Sequence, residues 1–509
     1  MLEYIAPQCF KTFFLQFCTA KSQSGTFRMA AFHYTLSLFI NMFRKIFLAA
    51  ALSLAFSAGA QTALTLDQCI AIALSENPTI QVADMEIKRV DYSRGETLSQ
   101  LLPQVNLGAN YSRMLAKQVM YMNMDGFGGG AGGSDDEDSN SETQTRKGAG
   151  NENGIKMGLD NSYQIGFSAA VPLIAPQLWK SMKLSDSQIL QSVEQARASR
   201  LDLVNQVKDA YYTLMLATDS RAVVQESYDM AALTHETYRK QFEAGAASDY
   251  DVLRTSVAMK NIEPELMQAD IAIKQARLQL LVLMGLDAST PIEVSGRLSD
   301  YEKNMFDEAM LLERDYSQNS TLVQNTLQTR MLRDALDVQR MAWFPTISAS
   351  INYYWNSNSN GSPFKNFRWS NSSTFGLSLS MPIFTGGARL SRQRQAKVQL
   401  LESELQRENI ERSVSMQVDL AIDNIRQNVR QITSTSESVA EAERAHDIME
   451  RSFAIGAASY LDLRDSELAL TRSRLAYYQS IYNYLVANSQ LELLRGTAPL
   501  ESYTLTENK

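Results

Sequence analysis

Proline is scarce in this chain, at 11 of 509 residues, and the 24 glycines leave long stretches with neither. A sequence so poor in helix breakers favours long helices over the three ordinary domains that its length would allow. Cysteine is nearly absent. Of three, Cys9 and Cys18 lie in the first 60 residues, and a lone Cys69 excludes an internal disulfide in the rest of the chain. No run after residue 60 approaches the roughly 18 apolar residues of a membrane helix, so a membrane role would have to use strands. Catalytic motifs are missing too. There is no nucleophile elbow, P-loop, HExxH or paired-cysteine motif. The chain therefore reads as a non-enzyme, and no cofactor or metal is expected.

What is present begins with a targeting signal placed inside the chain. Met42 is followed by Arg44 and Lys45, an apolar run from Ile46 to Phe56, and Ala58-Gly59-Ala60 before Gln61. Those are the parts of a secretory signal, so Met42 is the expected start, with cleavage before Gln61. The first 60 residues carry five basic residues and one acid, so their removal takes the net charge from −8 to −12. An acidic secreted chain is a poor partner for nucleic acid.

The remainder is written twice. SENPTIQV (75–82) aligns with SQNSTLVQ (317–324) and LPQVNLGANY (102–111) with FPTISASINY (344–353), both at an offset of 242. FSAAVPLI (167–174) aligns with LSLSMPIF (377–384) at 210, and Phe242 to Gly285 with Phe453 to Gly496 at 211. The offset falls by 32 between Tyr111 and Phe167, which places about 32 extra residues in the first copy. The segment 125–154, rich in glycine, serine and acids, supplies them and has no apolar run to order it.

Each copy opens with a short and a medium helix, at about 66–76 and 78–100, then about 304–316 and 318–341. Two alternating segments come next. Val105, Leu107, Ala109 and Tyr111 alternate with small polar residues, as do Tyr163, Ile165, Phe167, Ala169 and Val171. The second copy repeats this with Ile347, Ala349, Ile351 and Tyr353, then Phe375, Leu377, Leu379 and Met381. Period 2 with one apolar face and aromatics near the ends fits an outer-membrane strand, and also a half-buried soluble sheet. Four strands cannot close a barrel, and an open edge is not viable in lipid, so a membrane reading requires several chains to share one barrel.

After each strand pair come 69 residues free of internal proline, Pro176 to Ala244 and then Gly387 to Ile455. As continuous helix each would reach about 100 Å. Val204, Val207, Tyr211 and Leu214 trace a coiled-coil seam along the first. GAAS, at Gly245-Ala246-Ala247-Ser248 and again at Gly456-Ala457-Ala458-Ser459, then marks the tip of a long helical hairpin. Glycine closes the descending helix and serine caps the ascending one.

This order of elements resembles the TolC family of outer-membrane efflux proteins over essentially all of 61–496. ALSENP (73–78), the strand–helix junction MPIFTGGARL (381–390) and the two tips carry the likeness. The resemblance implies a mainly α fold with membrane β-strands in two tandem repeats, each holding two strands and a long hairpin. It further implies a homotrimer whose twelve strands form a barrel in outer-membrane lipid and whose twelve helices form a periplasmic α-barrel. That duct would meet a periplasmic adaptor and an inner-membrane pump of RND, ABC or MFS type, for drug efflux or type I secretion. The alternative from the residues alone is a secreted or periplasmic coiled-coil scaffold without a pore.

The expected division is a leader (1–60), repeat 1 (61–286), a linker (287–303), repeat 2 (304–496) and a tail (497–509). Repeat 1 holds strands at about 103–112 and 163–171, a disordered extracellular loop at about 113–162, and a hairpin at about 176–285. Repeat 2 holds strands at about 345–355 and 373–381 and a hairpin at about 387–495.

The tips also carry the candidate site. Asp251 and Asp462 stand three residues after Ser248 and Ser459, the spacing of a capping box. Asp465 sits one turn beyond Asp462, where capping does not account for it. Carried over from the family, an acidic ring at the pore constriction falls on Asp462 and Asp465, with Asp251 as the first-copy counterpart. The family's closing tyrosine and arginine meet Phe453 and Ala458 here, with Phe242 equivalent to Phe453. Arg254, at the place equivalent to Asp465, is then expected to bond between neighbouring hairpins as the tip latch. The small residues Gly245 to Ser248 and Gly456 to Ser459 are the expected adaptor contact. His235 and His446, each ten residues before its tip glycine, read as solvated positions, and the methionines at 120, 122 and 124 as incidental rather than a soft-metal site.

Overall fold

The computed structural model describes residues 62–120, 155–302, 305, 314–361, 364, 368–498 and 500. The leader, its cleavage site, the segment 125–154, most of the short helix expected at 304–316 and the end of the tail lie outside them. Two compact units are present. The smaller holds residues 62–63 and 291–293, where strands β1 (Thr62–Leu64) and β6 (Ile292–Val294) form a two-stranded sheet. The larger holds the two repeats.

The first copy runs α1 (Leu66–Glu76), α2 (Pro78–Ser99), β2 (Gln104–Arg113), β3 (Gln118–Met120), β4 (Ile155–Met157), β5 (Asn161–Ile174), α3 (Pro176–Glu243) and α4 (Asp249–Leu283). A short 3₁₀ turn at Leu298–Tyr301 comes after it. The second copy runs α5 (Ser320–Met341), β7 (Thr346–Ser359), β8 (Trp369–Ser380), α6 (Ala388–Ala454) and α7 (Tyr460–Arg495). The unit is mainly helical. Pro78 does not break a helix but starts one, at the first turn, where its missing N–H costs nothing. Pro264 sits inside α4 without ending it.

One expectation is corrected at its edges. The span 113–162, read as a single disordered loop, contains β3 and β4 paired antiparallel from Gln118↔Met157 to Met120↔Ile155. The approach to this ribbon is fixed by Met114 N–H donating to the Asp160 carbonyl at 2.8 Å and by the Lys117–Asp160 ion pair at 3.0 Å. Composition argues only about the glycine-rich middle of the loop, not about these flanks.

The four long strands form one antiparallel sheet in the order β2-β5-β7-β8. Its register sets like beside like. Leu107 pairs with Phe167, Phe167 with Tyr353, Ile351 with Phe375 and Ala349 with Leu377. Because side chains alternate, this alignment gathers the apolar positions of all four strands on one face and Asn, Ser, Gln and Gly on the other. On the polar face Gly166 leaves room for its partner Tyr354, whose ring would lie 2.3 Å from a Cβ there.

Helix α3 packs against α1, α2, α4, α5 and α7, while α6 packs against α5 and α7. Val204, Val207, Tyr211 and Leu214, the seam expected from spacing, are all buried, and the Tyr211 hydroxyl donates to the Ser295 carbonyl at 2.9 Å.

The SENP-type motif builds the root of each hairpin. Asn77 caps α2 by accepting from Thr79 N–H at 2.7 Å, and its Nδ2 donates to the Leu283 carbonyl at the end of α4, also at 2.7 Å. Asn319 repeats both roles, accepting from Leu322 N–H and donating to the Leu494 carbonyl at 2.7 Å. One side chain thus satisfies an orphan donor at a helix start and an orphan acceptor at a helix end.

Candidate functional site

Both tips are built the same way by local rules. At the first, Gly245 in the left-handed region (φ +78) lets its N–H reach the Phe242 carbonyl at 2.8 Å and Ala246 N–H reach Gln241 at 2.7 Å. At the second, Gly456 (φ +76) does the same with Phe453 at 2.9 Å, and Ala457 with Ser452 at 2.8 Å. This is the Schellman closure. Ser248 and Ser459 then cap α4 and α7. Each serine Oγ accepts from the N–H of Asp251 or Asp462, and the aspartate Oδ2 accepts in return from the serine N–H, at 3.3 Å and 3.0 Å. Gly245, Ala246, Ser248, Gly456, Ala457 and Ser459 are exposed, and Ala247 and Ala458 are half-buried.

The three acids are placed differently. Asp251 and Asp462 spend Oδ2 on the cap, and among the described residues Oδ1 of each accepts nothing. Ser459, through hydroxyl and backbone, holds the Asp462 carboxyl below its ordinary range, so it stays ionised. Asp465 is exposed and makes no hydrogen bond or ion pair with any described residue, so its charge is unspent. Two adjacent turns of α7 therefore present carboxylate oxygen to solvent.

The latch differs from the expectation. Within one chain Arg254 is not paired with Asp465. Its guanidinium lies over the ring of Tyr460, 4.9 Å from the centroid. Tyr460 also receives the edge of Tyr238, at 5.7 Å and 78° between planes, and Tyr238 lies 6.2 Å from Phe453. Phe242, the first-copy counterpart of Phe453, is exposed. The copies have thus diverged. Tyr238 and Arg254 of the first hairpin clasp Phe453 and Tyr460 of the second, and a cation–ring contact takes the place of an ion pair because a tyrosine, not a carboxylate, faces the guanidinium.

His235 and His446 are corrected as well. They are not solvated positions: each is half-buried and bridges its own hairpin, His235 Nδ1 to Thr255 Oγ1 at 3.1 Å and His446 Nδ1 to Ser466 Oγ at 3.3 Å. The signal was available in the numbering. Thr255 and Ser466 lie ten residues after their tip glycines, as the histidines lie ten before. Further from the tips, Arg474 on α7 donates to Glu226 on α3 at 2.6 Å and to Glu443 on α6 at 2.9 Å, tying three helices of both hairpins. Among the described residues no cluster of His, Cys, Asp and Glu is arranged to hold a metal.

The other site is the sheet's apolar face. Val105, Leu107, Phe375, Leu377 and Leu379 are each about two-thirds exposed, at 65–69%. A contiguous face of that kind in water is unfavourable, at roughly 25 cal/mol per Å² left uncovered. Among the described residues, strands β2 and β8 each have one edge without a partner. No described helix is long and apolar enough to cross a membrane.

Comparison with known proteins agrees with this geometry. The chain matches the family described as outer membrane efflux protein over residues 69–286 and 311–497. It is 22% identical over 474 residues to outer membrane protein TolC of Escherichia coli strain K12, covering 88% of this chain and 85% of that one. It is 25% identical over 282 residues to the cobalt-zinc-cadmium resistance protein CzcC of Cupriavidus metallidurans, covering 55% and 64%. The CmeC outer membrane channel of Campylobacter jejuni shares its fold with a TM-score of 0.65 at 15% identity, covering 86% of this chain and 88% of that one. CusC gives 0.65 at 17%, covering 86% and 93%. The family is one of transport channels rather than enzymes. This chain belongs to the outer membrane efflux protein family, the TolC family, and resides in the outer membrane, extending into the periplasm.

Proposed function

We propose that the chain is the exit duct of a tripartite efflux or type I secretion system, working as a homotrimer and carrying out no chemistry of its own. The observation that supports this most is the four-stranded sheet, apolar in register on one face and unpaired at both edges. Lipid covers such a face, and only closure removes such edges. Three copies joined β8 to β2 give a barrel of twelve strands. A scaffold surrounded by water leaves both the face and the edges unsatisfied.

The helices favour the same assembly. Leu253, Val257, Met267, Ile271, Leu278 and Val282 form an exposed stripe on α4, and Val398, Leu401, Leu405, Met416 and Leu420 form one on α6. Side by side in neighbouring copies, such stripes cover each other and close a tunnel. At its end the three copies of Asp462 and Asp465, with Asp251, ring the constriction and favour cations. The clasp of Tyr238, Arg254, Phe453 and Tyr460 holds that end, with the exposed Phe242, three residues before the first tip glycine, as a further latch candidate. The two GAAS tips, free of bulk, receive a periplasmic adaptor, which connects to an inner-membrane pump of the RND, ABC or MFS class.

Cargo is a small molecule or a protein. Relatives named for alkaline protease secretion and for cobalt-zinc-cadmium resistance span that range. Migration of the outer-membrane fraction on gels, with and without boiling, tests the assembly. A three-chain species that collapses to a single chain on heating is expected. A single-chain band in both lanes overturns the trimer.

A further inference from the structure

Across the four long strands β2, β5, β7 and β8 a single side chain carries a charge: Arg113, the last residue of β2. Alternation from Val105 places it on the apolar face, opposite Asn161 of β5. It is exposed, and it makes no hydrogen bond or ion pair with any described residue. The acid next to its strand partner, Asp160, is already held by Lys117 and by the Gly361 N–H, each at 3.0 Å. An unpaired guanidinium is at ease in water, but on a wall covered by lipid it needs an anion from outside the chain.

The corner around Arg113 is tightly built. Tyr111 stacks on Tyr163 with ring centroids 4.9 Å apart, and its hydroxyl donates to Asn161 Oδ1 at 3.0 Å. Asn161 Nδ2 donates in turn to the Gly361 carbonyl at 3.1 Å, which ties the chain leaving β7 to this corner. Phe364 then takes the left-handed region at φ +65, its N–H donated to the Tyr163 hydroxyl at 2.8 Å. Its ring lies 5.6 Å from that of Tyr111 and 5.7 Å from that of Tyr163. Because both tyrosines belong to the apolar face, Phe364 is folded against the outer wall and not over the lumen. It nevertheless stays 68% exposed, so a strained backbone holds out a ring that the chain itself does not cover.

We propose that Arg113 and the aromatic corner of Tyr111, Tyr163 and Phe364 bind a phosphate-bearing lipid of the outer leaflet, the guanidinium taking the phosphate and the rings the start of its acyl chains. Which end of the sheet faces outward rests on the exit-duct reading. In that reading the helices that follow β5 and β8 leave toward the periplasm, and Arg113 stands at the opposite end.

The dimensions agree with this placement. From Ile347 to Ser357, which pairs with Tyr163, the apolar face runs about 33 Å along β7, or about 25 Å once strand tilt is counted, the height of an outer-membrane apolar band. Arg113 lies two residues beyond the Tyr111 row, about 5 Å higher, where hydrocarbon gives way to headgroups. A cation at mid-band is costly, whereas at this depth it costs little and phosphate is at hand.

Native mass spectrometry of the full chain in neutral detergent, titrated with diphosphorylated lipid A, reads the binding. The wild type should bind lipid A about tenfold or more tighter than neutral phosphatidylcholine, Arg113→Gln should lose about fivefold or more of that affinity, and Arg113→Lys should recover part of it. Phe364→Ala should also weaken binding, while Arg89→Gln, which removes the same charge from an exposed position on α2, should change nothing. Arg113 bonds no described residue, so its replacement leaves folding intact. Unaltered binding in Arg113→Gln, or equal affinity for the two lipids, overturns the proposal. Displacement of lipid A by inorganic phosphate at equal concentration would also overturn it, since the site would then recognise a free anion. Unheated gels and single-channel recording on the same protein separate the two readings. Conducting trimers without a preference for lipid A would sink this site alone; a preference kept in protein that neither assembles nor conducts would sink the duct reading and leave the site, which lies within one chain.

Discussion

Replacing Gly496 by alanine separates two costs that the repeat lets one compare within a single chain. Gly496 and Gly456 both end a long helix in the left-handed region, at φ +68 and +76. Around Gly456 a Cβ meets nothing within 4 Å, so Gly456→Ala carries only the left-handed strain of about 1 kcal/mol. At Gly496 the same atom falls 2.2 Å from the Gln318 carbonyl oxygen and 2.8 Å from its carbon. That carbonyl cannot retreat freely. Arg197 donates to it at 2.8 Å, and the neighbouring Asn319 is tied to the Leu494 carbonyl at 2.7 Å. Overpacking adds about 1–3 kcal/mol and the strained Arg197 bond about 1 more, so Gly496→Ala should cost about 3 kcal/mol or more. Urea unfolding of both variants in detergent, monitored by helical circular dichroism, reads the difference. Equal losses would refute the claim that the hairpin root is a close-packed joint.

Three further outcomes are expected. Changing Asp462 and Asp465 together to alanine should lower cation selectivity and weaken block by added divalent cations in planar bilayers, whereas Asp462→Asn alone should weaken the cap and leave conductance as it is; unchanged selectivity in the double variant would leave both acids as cap and surface charge. Tyr460→Ala removes a ring pair and a cation–ring contact, each worth about 0.5–1.5 kcal/mol, so the open fraction of single-channel records should rise roughly five- to tenfold or more, and no rise would remove the clasp from gating. Ala246→Trp with Ala457→Trp should abolish export while trimers persist on unheated gels, because bulk at an exposed tip blocks a partner without touching the core; normal export would move the adaptor contact elsewhere.

How far each feature was legible in the sequence depends on the range over which it is decided. The strands show in period 2 because one face of Val105–Tyr111 or Phe375–Met381 alternates against the other. The tips show because Schellman closure and capping are set within a few residues. The clasp does not show, because it depends on which faces of the long helices meet, and neither α3 nor α7 carries a well-defined apolar stripe along its length. Tyr238, Tyr460 and Arg254 thus come together only through the packing of α3 against α7. The role of Asn77 and Asn319 was hidden for a related reason: a capping asparagine reads as local, while its second bond reaches a carbonyl 206 or 175 residues away. The histidine bridges were readable by counting outward from each tip glycine, since an antiparallel hairpin pairs residues equidistant from its turn.

If this sheet and these hairpins enclose a pore, the full chain must conduct. Single-channel recording of protein extracted from outer membrane and reconstituted in a planar bilayer tests that most directly. Discrete conductance steps are predicted, and cation-selective ones if Asp462 and Asp465 ring the narrow end as proposed. Folded, membrane-extracted protein that inserts and gives no steps above the bare lipid would contradict it.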